Sequence, residues 1–242
     1  MLKVAVILPV YNEAKCIAKT WDSVLQFSNT RPYYHFTFVN DGSTDQTKQI
    51  LDAKLTAASN SRIKVIEYEE NKGKGFAIKT AVESVHEDYI CFIDSDLAYS
   101  LEHLDLLVEK LDEFDVVIGC RNLIPESIER VNLTRKLAGK SFNTISRKLL
   151  NLPFCDMQAG IKGFKKNVAK EVFQKQKIAG FSFDAELIFL AKKKGYKIGQ
   201  IPAMVSEKHL NKVSKVNLLI DSARMLLDLL KIRCNDIMGK YE

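Results

Sequence analysis

The sequence predicts an α/β protein in which a mostly parallel sheet is flanked by helices, and three observations support that class. Short apolar runs alternate with stretches of helical periodicity through residue 120, the pattern of strands joined by crossover helices. Three of those runs, Val4-Ala5-Val6-Ile7-Leu8, Phe36-Thr37-Phe38-Val39 and Tyr89-Ile90-Cys91-Phe92-Ile93, end abruptly in polar, acid-bearing loops. Continuous apolar runs read as strands buried on both faces, and their carboxyl ends are where open α/β sheets bind ligands.

The predicted strands are Lys3 to Leu8, Tyr34 to Val39, Ile63 to Glu67, Tyr89 to Ile93 and Val116 to Cys120. Between them, a helix over Ala14 to Gln26 places Ile17, Val24 and Leu25 near one side. The next, Thr44 to Ala58, is expected to be capped by Ser43 with Asp45 in its first turn. Gly75 to Val85 and Leu101 to Phe114 complete that set. After residue 120 a polar linker covers residues 121 to 132, and Leu133 to Leu152 reads as an amphipathic helix with Leu133, Leu137, Ile145 and Leu149 among its apolar positions. A strand over Gly160 to Phe164, a helix over Ser182 to Lys194, a strand over Lys197 to Val205 and a final amphipathic helix over Val216 to Ile232 follow.

A chain of 242 residues suits one continuous domain with a sizeable core, and 46% hydrophobic against 27% charged residues excludes a disordered chain. No apolar stretch approaches the roughly 20 residues needed to cross a bilayer, and Met1-Leu2-Lys3 leads into a strand rather than a secretory leader. The expected location is therefore cytoplasmic. Cys16, Cys91, Cys120, Cys155 and Cys234 form no Cys-x-x-Cys pair, so reduced thiols are expected rather than a zinc site or a disulfide framework.

The net charge of +6 suits an anionic partner of any kind until its distribution is read. Arg135, Lys136, Lys140, Arg147 and Lys148 fall between Val131 and Lys148 with no acid among them. A basic amphipathic helix fits an anionic membrane surface; a core-covering helix with a solvated basic face accounts for the same pattern.

Asp94-Ser95-Asp96 puts two hard oxygen donors in one turn, which suits Mg²⁺ or Mn²⁺ shared with phosphate oxygens, although a solvated turn or helix cap uses the same residues. Asp41 can accept hydrogen bonds from a base or ribose, or begin an Asx-turn, while Gly42 lets the backbone turn sharply. Asn71-Lys72-Gly73-Lys74-Gly75 offers two ammonium groups before a helix, a phosphate neighbour or a solvated loop. It is neither a Walker loop nor a Gly-x-Gly-x-x-Gly fingerprint. The first strand-to-helix turn, Pro9-Val10-Tyr11-Asn12-Glu13, contains no glycine, which argues against a dinucleotide-binding dehydrogenase. There Pro9 sets the chain direction as it leaves the sheet, Tyr11 can lie against a flat base, and Glu13 can bond to ribose or to the loop.

The ordered series Pro9-Val10-Tyr11-Asn12-Glu13, Asp41-Gly42-Ser43-Thr44-Asp45, Asn71-Lys72-Gly73-Lys74-Gly75 and Asp94-Ser95-Asp96 resembles that of family 2 glycosyltransferases with the GT-A fold. The resemblance implies nucleotide-binding roles for Pro9, Tyr11, Glu13 and Asp41, joined by Lys74 and Ser95, and metal and donor-diphosphate roles for Asp94 and Asp96. Residues 155–164, then Phe181-Ser182-Phe183-Asp184-Ala185-Glu186-Leu187, then His209 to Lys215 are similar to the polyprenyl (dolichyl or undecaprenyl) phosphate hexose transferases, glucosyl or mannosyl. On that basis residues 1–120 are the nucleotide-sugar-binding half and residues 121–242 the acceptor-binding half.

The implied activity is an inverting, metal-dependent transfer of a hexose from a nucleotide sugar, UDP-hexose first and GDP-mannose next, to a polyprenyl phosphate. The implied setting is peripheral, on the cytoplasmic face of an anionic membrane, with Mg²⁺ or Mn²⁺ as cofactor and no nucleic acid as partner. A lipid phosphate is already ionised near neutral pH, so it needs positioning cations rather than a base. Arg121 is the first candidate, then Arg130, Arg135, His209, Lys212 and Lys215, with His209 equally readable as a surface residue. Asp96, Arg121 and Asp184 are expected at the reacting centre. Asp184 orients cations or the donor sugar in such enzymes, and deprotonates the acceptor in members acting on sugar hydroxyls. Asp156 and Gln158 either touch the sugar or form the turn before the Gly160 strand.

One departure is Ala98, where relatives of the mannosyl type often carry Gln, which counts against a third side-chain metal ligand and against that branch. Two other readings stay open on the sequence: a family 2 enzyme acting on a saccharide hydroxyl in cell-surface glycan synthesis, and a non-catalytic nucleotide- or nucleic-acid-binding protein.

Overall fold

The structure, a computed structural model, describes residues 2–58, 60–123, 143–154, 156–206 and 218–242, with side chains of the last helix described from residue 223. Its strands are β1 (Val4–Val10), β2 (Tyr34–Asp41), β3 (Ile63–Tyr68), β4 (Tyr89–Ile93), β5 (Val116–Cys120), β6 (Ile161–Lys165) and β7 (Ile198–Pro202). They form one sheet in the order β3-β2-β1-β4-β6-β5-β7. Every neighbouring pair is parallel except those of β6, which runs antiparallel to both β4 and β5. The chain is thus the mostly parallel α/β protein its sequence predicts. The strand order reverses between β1 and β4, which opens a crevice at their carboxyl ends.

The helices are α1 (Ile17–Thr30), α2 (Thr47–Ala57), α3 (Lys74–Ser84), α4 (His103–Leu111), α5 (residues 143–150), α6 (Lys166–Lys175), α7 (Phe183–Lys193) and α8 (Leu218–Ile237). Alternate residues of a strand face opposite sides, and β1 uses both. Val4, Val6 and Leu8 join a cluster with Ile17, Trp21, Val24 and Phe27 of α1, where Trp21 stacks on Phe38 with centroids 5.1 Å apart. Ala5 and Ile7 join the opposite cluster with Ala77, Ile78, Ala81 and Val82 of α3. Burial on both faces is why the strand reads as an unbroken apolar run.

Several expectations need correction. α6 has no counterpart among the predicted elements, although Val168, Ala169, Val172 and Phe173 are buried at helical spacing. β1 does not end before Pro9 but continues to Val10, pairing Pro9 with Val39. Beyond Ile7 only β2 flanks it, the half-edge position where a strand tolerates proline. Ser43 does not cap α2, because its hydroxyl accepts the Asn12 N–H at 3.0 Å. α2 starts at Thr47 after Gln46, and Asp45, the residue before that, accepts the Thr47 N–H at 3.0 Å. Of the expected helix Leu133 to Leu152, residues 143–150 are helical, with Leu150 buried and Ile145 exposed; the helix stops before Asn151, at φ +51°, and Leu152, and residues 133–142 lie outside the described residues. Arg121–Leu123 form a 3₁₀ turn. The last helix extends past Ile232 to Ile237.

Glu186, in the middle of α7 and fully buried, carries the C-terminal contact. It accepts the Tyr241 hydroxyl at 2.5 Å, the Ile178 N–H at 2.8 Å and the Lys177 N–H at 3.1 Å. Burial raises its pKa, and these donors partly offset that rise.

Candidate active site

The four loops at the carboxyl ends of the strands are joined residue to residue. Asn12, held at φ +52°, donates its N–H to Ser43 Oγ and accepts the Thr44 N–H at 2.7 Å through its side-chain oxygen. Ala14 N–H donates to Asp45 Oδ2 at 3.2 Å. The β1 and β2 loops are therefore one unit, with Tyr11 exposed upon it. The Glu13 carboxylate accepts the Cys16 thiol at 2.9 Å.

Asp41 joins the second loop to the third. Its Oδ1 accepts the Tyr68 hydroxyl at 2.7 Å and the Lys72 N–H at 2.8 Å, and its Oδ2 accepts Asn71 Nδ2 at 2.9 Å and the Gly73 N–H at 3.0 Å. Two donors on each oxygen are close to what a carboxylate takes. The loop 71–73 thus wraps a nearly buried anion. The approach is tight: a Cβ at Gly42, whose φ is +63°, would lie 2.5 Å from Asn71 N, so only glycine fits.

That wrapping delivers Lys74 to the fourth loop. Gly73 precedes α3 at φ +99°, the Gly75 N–H donates to Ala179 O at 2.7 Å, and Lys74 Nζ lies 2.6 Å from Asp94 Oδ1. Burial works to lower the Lys74 pKa, but Asp94 and Asp184 more than offset it and leave it raised. Asp94 is set by β6: its N–H donates to Gly160 O at 3.0 Å. Ser95 is buried, its carbonyl accepting the Thr20 hydroxyl at 2.7 Å, and the turn closes with Ala98 N–H on Asp96 Oδ1 at 3.1 Å and Leu97 at φ +50°.

Two more ion pairs stand behind this rim. Lys162 of β6 is wholly buried, with Nζ 2.6 Å from Asp184 Oδ1 and 2.8 Å from Ala159 O. Burial pushes the Asp184 carboxyl up and the Lys162 ammonium down, and each partner opposes the other's shift. The charges of Lys74 and Asp94 also act on the Asp184 carboxyl, Lys74 lowering its pKa and Asp94 raising it. Arg121, at the end of β5, makes a bidentate pair with the buried Asp156, Nε to Oδ2 at 2.6 Å and an η nitrogen to Oδ1 at 2.8 Å. Burial acts to raise the Asp156 pKa, but the guanidinium outweighs it and holds the carboxyl below its ordinary range. Asp156 also accepts the Gln158 N–H at 3.2 Å, so the turn-forming alternative describes its geometry. Tyr99, buried and pushed up to about 12, is within electrostatic reach of Arg121, Asp156, Asp94 and Lys74.

A family profile described as glycosyl transferase family 2 matches residues 5–173, which spans all four loops and β6. The chain belongs to glycosyl transferase family 2. Among its curated relatives is the dolichyl-phosphate beta-glucosyltransferase of Dictyostelium discoideum, 24% identical over 98% of this chain and 76% of that protein. The Saccharomyces cerevisiae protein of the same name is 25% identical with the same coverage, 98% and 76%. This family 2 glycosyltransferase also resembles mannosyl-3-phosphoglycerate synthase from Rubrobacter xylanophilus, with TM-score 0.70 and 17% identity over 99% of this chain and 75% of that one. Glucosyl-3-phosphoglycerate synthase from Mycobacterium tuberculosis, solved with Mn²⁺, UDP and glucosyl-3-phosphoglycerate, matches with TM-score 0.68 and 17% identity over 97% and 80%. At those identities the structural likeness establishes the GT-A fold.

The interlocked loops bring together Asp41, Lys74 and Asp94, with Ser95 and Asp96 in the turn after Asp94 and with Tyr11 and Glu13 on the β1 loop. Arg121, Asp156 and Gln158 form the adjacent corner. Arg130, Arg135, His209, Lys212 and Lys215 lie outside the described residues. Sequence reasoning missed Lys162, Tyr99 and Glu186. For Lys162 a signal existed: a lysine inside the apolar run of β6 must be buried and therefore paired.

A divalent metal fits the residues present. Mg²⁺ takes one or two carboxylates and completes its shell with phosphate oxygens and water, and Asp94 and Asp96 supply two hard oxygens in one turn. No group of three His, Cys, Asp or Glu gathers among the described residues, so the remaining oxygens would come from the diphosphate and water.

Proposed function

We propose that this chain transfers a hexose from a nucleotide sugar, UDP-hexose in preference to GDP-mannose, to a polyprenyl phosphate at a membrane surface, with inversion and with Mg²⁺ or Mn²⁺. The observation that carries this reading is the Lys74–Asp94 contact, which joins the loop wrapped around Asp41 to the acids that would hold the diphosphate. The two curated relatives, named as dolichyl-phosphate glucosyltransferases over nearly the whole chain, favour the lipid phosphate acceptor.

In this reading Asp94 and Asp96 hold the cation, which would neutralise charge developing on the departing diphosphate. Tyr11 and the interlocked β1 and β2 loops form the wall for the base and ribose, and Asp41 acts on the nucleotide through the loop whose N–H groups it gathers. Asp156 aims Arg121 toward the acceptor side. Arg130, Arg135, His209, Lys212 and Lys215 are proposed as further acceptor cations, and Gln158 as a sugar contact. Asp184 is more readily a positioning residue than a base, because its Oδ1 already carries Lys162.

Peripheral attachment on the cytoplasmic side accords with α8. Leu227, Leu230 and Ile237 are exposed along it with the exposed Lys231, and the exposed Met238 and Lys240 follow in the turn after it. Among the described residues no helix is long and apolar enough to cross a membrane.

The test is a panel of radiolabelled nucleotide sugars offered with polyprenyl phosphate and Mg²⁺ or Mn²⁺, followed by organic extraction. Label moving into the organic phase supports the proposal and names the donor. Label that stays aqueous, or moves only onto saccharides, overturns it.

A further inference from the structure

We infer that Lys74 is a tethered counter-ion for Asp94, which a divalent metal must displace, so that metal and nucleotide diphosphate load together rather than metal first. The inference rests on the reading of Asp94 as a metal ligand. Its starting point is the 2.6 Å contact between Lys74 Nζ and Asp94 Oδ1, with the two side chains 18% and 34% exposed. Partial shielding makes such a pair stronger than one on an open surface.

Both partners are anchored. Lys74 opens α3, and its backbone is pinned on either side by the Gly73 N–H on Asp41 Oδ2 at 3.0 Å and the Gly75 N–H on Ala179 O at 2.7 Å. Asp94 packs on Gly160, where a Cβ would come within 1.8 Å of Oδ2, so a residue without a side chain there is what leaves the carboxylate its place beside the ammonium. A cation at Asp94 and an ammonium 2.6 Å from the same carboxylate repel one another, and the flexible lysine side chain is the part that can move. Two groups lie within its reach: Asp184 acts on it electrostatically, and Nζ stands 5.8 Å from the centre of the Phe183 ring.

The consequence is an exchange of partners. Without metal, Lys74 neutralises Asp94 and keeps the acid from being a partly buried, uncompensated charge. When metal takes Asp94, the ammonium is released next to where a diphosphate would lie, and a diphosphate rewards both events. By linkage, the nucleotide should tighten metal binding and metal should tighten nucleotide binding by the same factor.

The experiment measures Mn²⁺ binding by the electron paramagnetic resonance of free Mn²⁺, with no sugar donor or acceptor present, on wild type, Lys74→Met, Lys74→Arg and Asp94→Asn. Removing the competing charge should tighten Mn²⁺ alone by about tenfold in Lys74→Met, reduce the further tightening produced by UDP, and leave Lys74→Arg close to wild type. Mn²⁺ binding lost in Asp94→Asn yet no tighter in Lys74→Met overturns this inference while leaving Asp94 a metal ligand. Mn²⁺ binding untouched in Asp94→Asn overturns the metal reading and the counter-ion with it. A second measurement needs no variant of Lys74: amine-labelling of the wild-type protein should modify Lys74 faster once Mn²⁺ is added, and an unchanged rate counts against the exchange.

Discussion

A methyl group placed on Gly160 would come within 1.8 Å of Asp94 Oδ2 and 2.3 Å of its carboxyl carbon. The first strand after the segment 124–142 therefore shapes the acid at the end of β4, and a glycine on an antiparallel neighbour sets where a candidate metal ligand can stand. Gly160→Ala should leave the fold in place and push Asp94 off its position. A displacement of that order costs on the order of 10²-fold in turnover. Steady-state rates beside a thermal melt would check it: an active Gly160→Ala protein would mean that Asp94 is not where chemistry happens.

Asp96→Asn removes one of two anionic oxygen donors without changing side-chain size. Transfer should fall by about 10²–10³-fold or more if the cation stabilises the leaving diphosphate, with an unaltered melting temperature. Undiminished transfer would remove the metal from the mechanism.

Asp184→Asn separates the acceptor classes and probes the buried pair at once. A hydroxyl acceptor served by Asp184 as base should lose about 10²–10⁴-fold, a phosphate acceptor far less. Stability should fall by about 3–5 kcal/mol, because Lys162 is left buried without its anion. Lys162→Met combined with Asp184→Leu should recover most of that loss, since the uncompensated charge is gone; chemical denaturation of all three proteins reports it.

The Arg121–Asp156 pair predicts an acid limit. The folded Asp156 pKa lies below its ordinary value of 3.8. Its contribution is therefore complete above that value and is lost as pH falls through the lower folded one. Asp156→Asn should flatten this part of the stability profile, measured as the denaturation midpoint below pH 5. A profile identical to wild type would show that the pair contributes nothing.

Tyr241→Phe deletes the hydroxyl that Glu186 accepts inside the molecule, leaving an acceptor short of a donor. A loss of about 1–3 kcal/mol follows. Because Glu186 also holds Lys177 and Ile178, amide hydrogen exchange should rise across 177–179, the segment that meets Gly75.

The strand ends were legible because each buried strand announces itself as an apolar run that closes at an acid: Ile93 before Asp94, and β2 at Asp41 itself, two residues past the expected Val39. The resemblance of the four loops, in order, to family 2 glycosyltransferases placed Lys74 and Asp94 among the expected site residues. What spacing cannot carry is direction and partnership. β6 reads as a strand whichever way it runs, and only its reversal between β4 and β5 brings Gly160 under Asp94 and Lys162 to Asp184. Asp41 reads as a ligand for a base, yet its lone pairs are taken by a loop about thirty residues away. By itself, then, the sequence determined the fold class, the strand-end rim and the acids upon it, because burial and turn chemistry are local. The tertiary structure decided which charge answers which, because ion pairs such as Lys74–Asp94, Lys162–Asp184 and Arg121–Asp156 join residues about twenty or more apart, and only packing selects among carboxylates that sequence leaves equivalent.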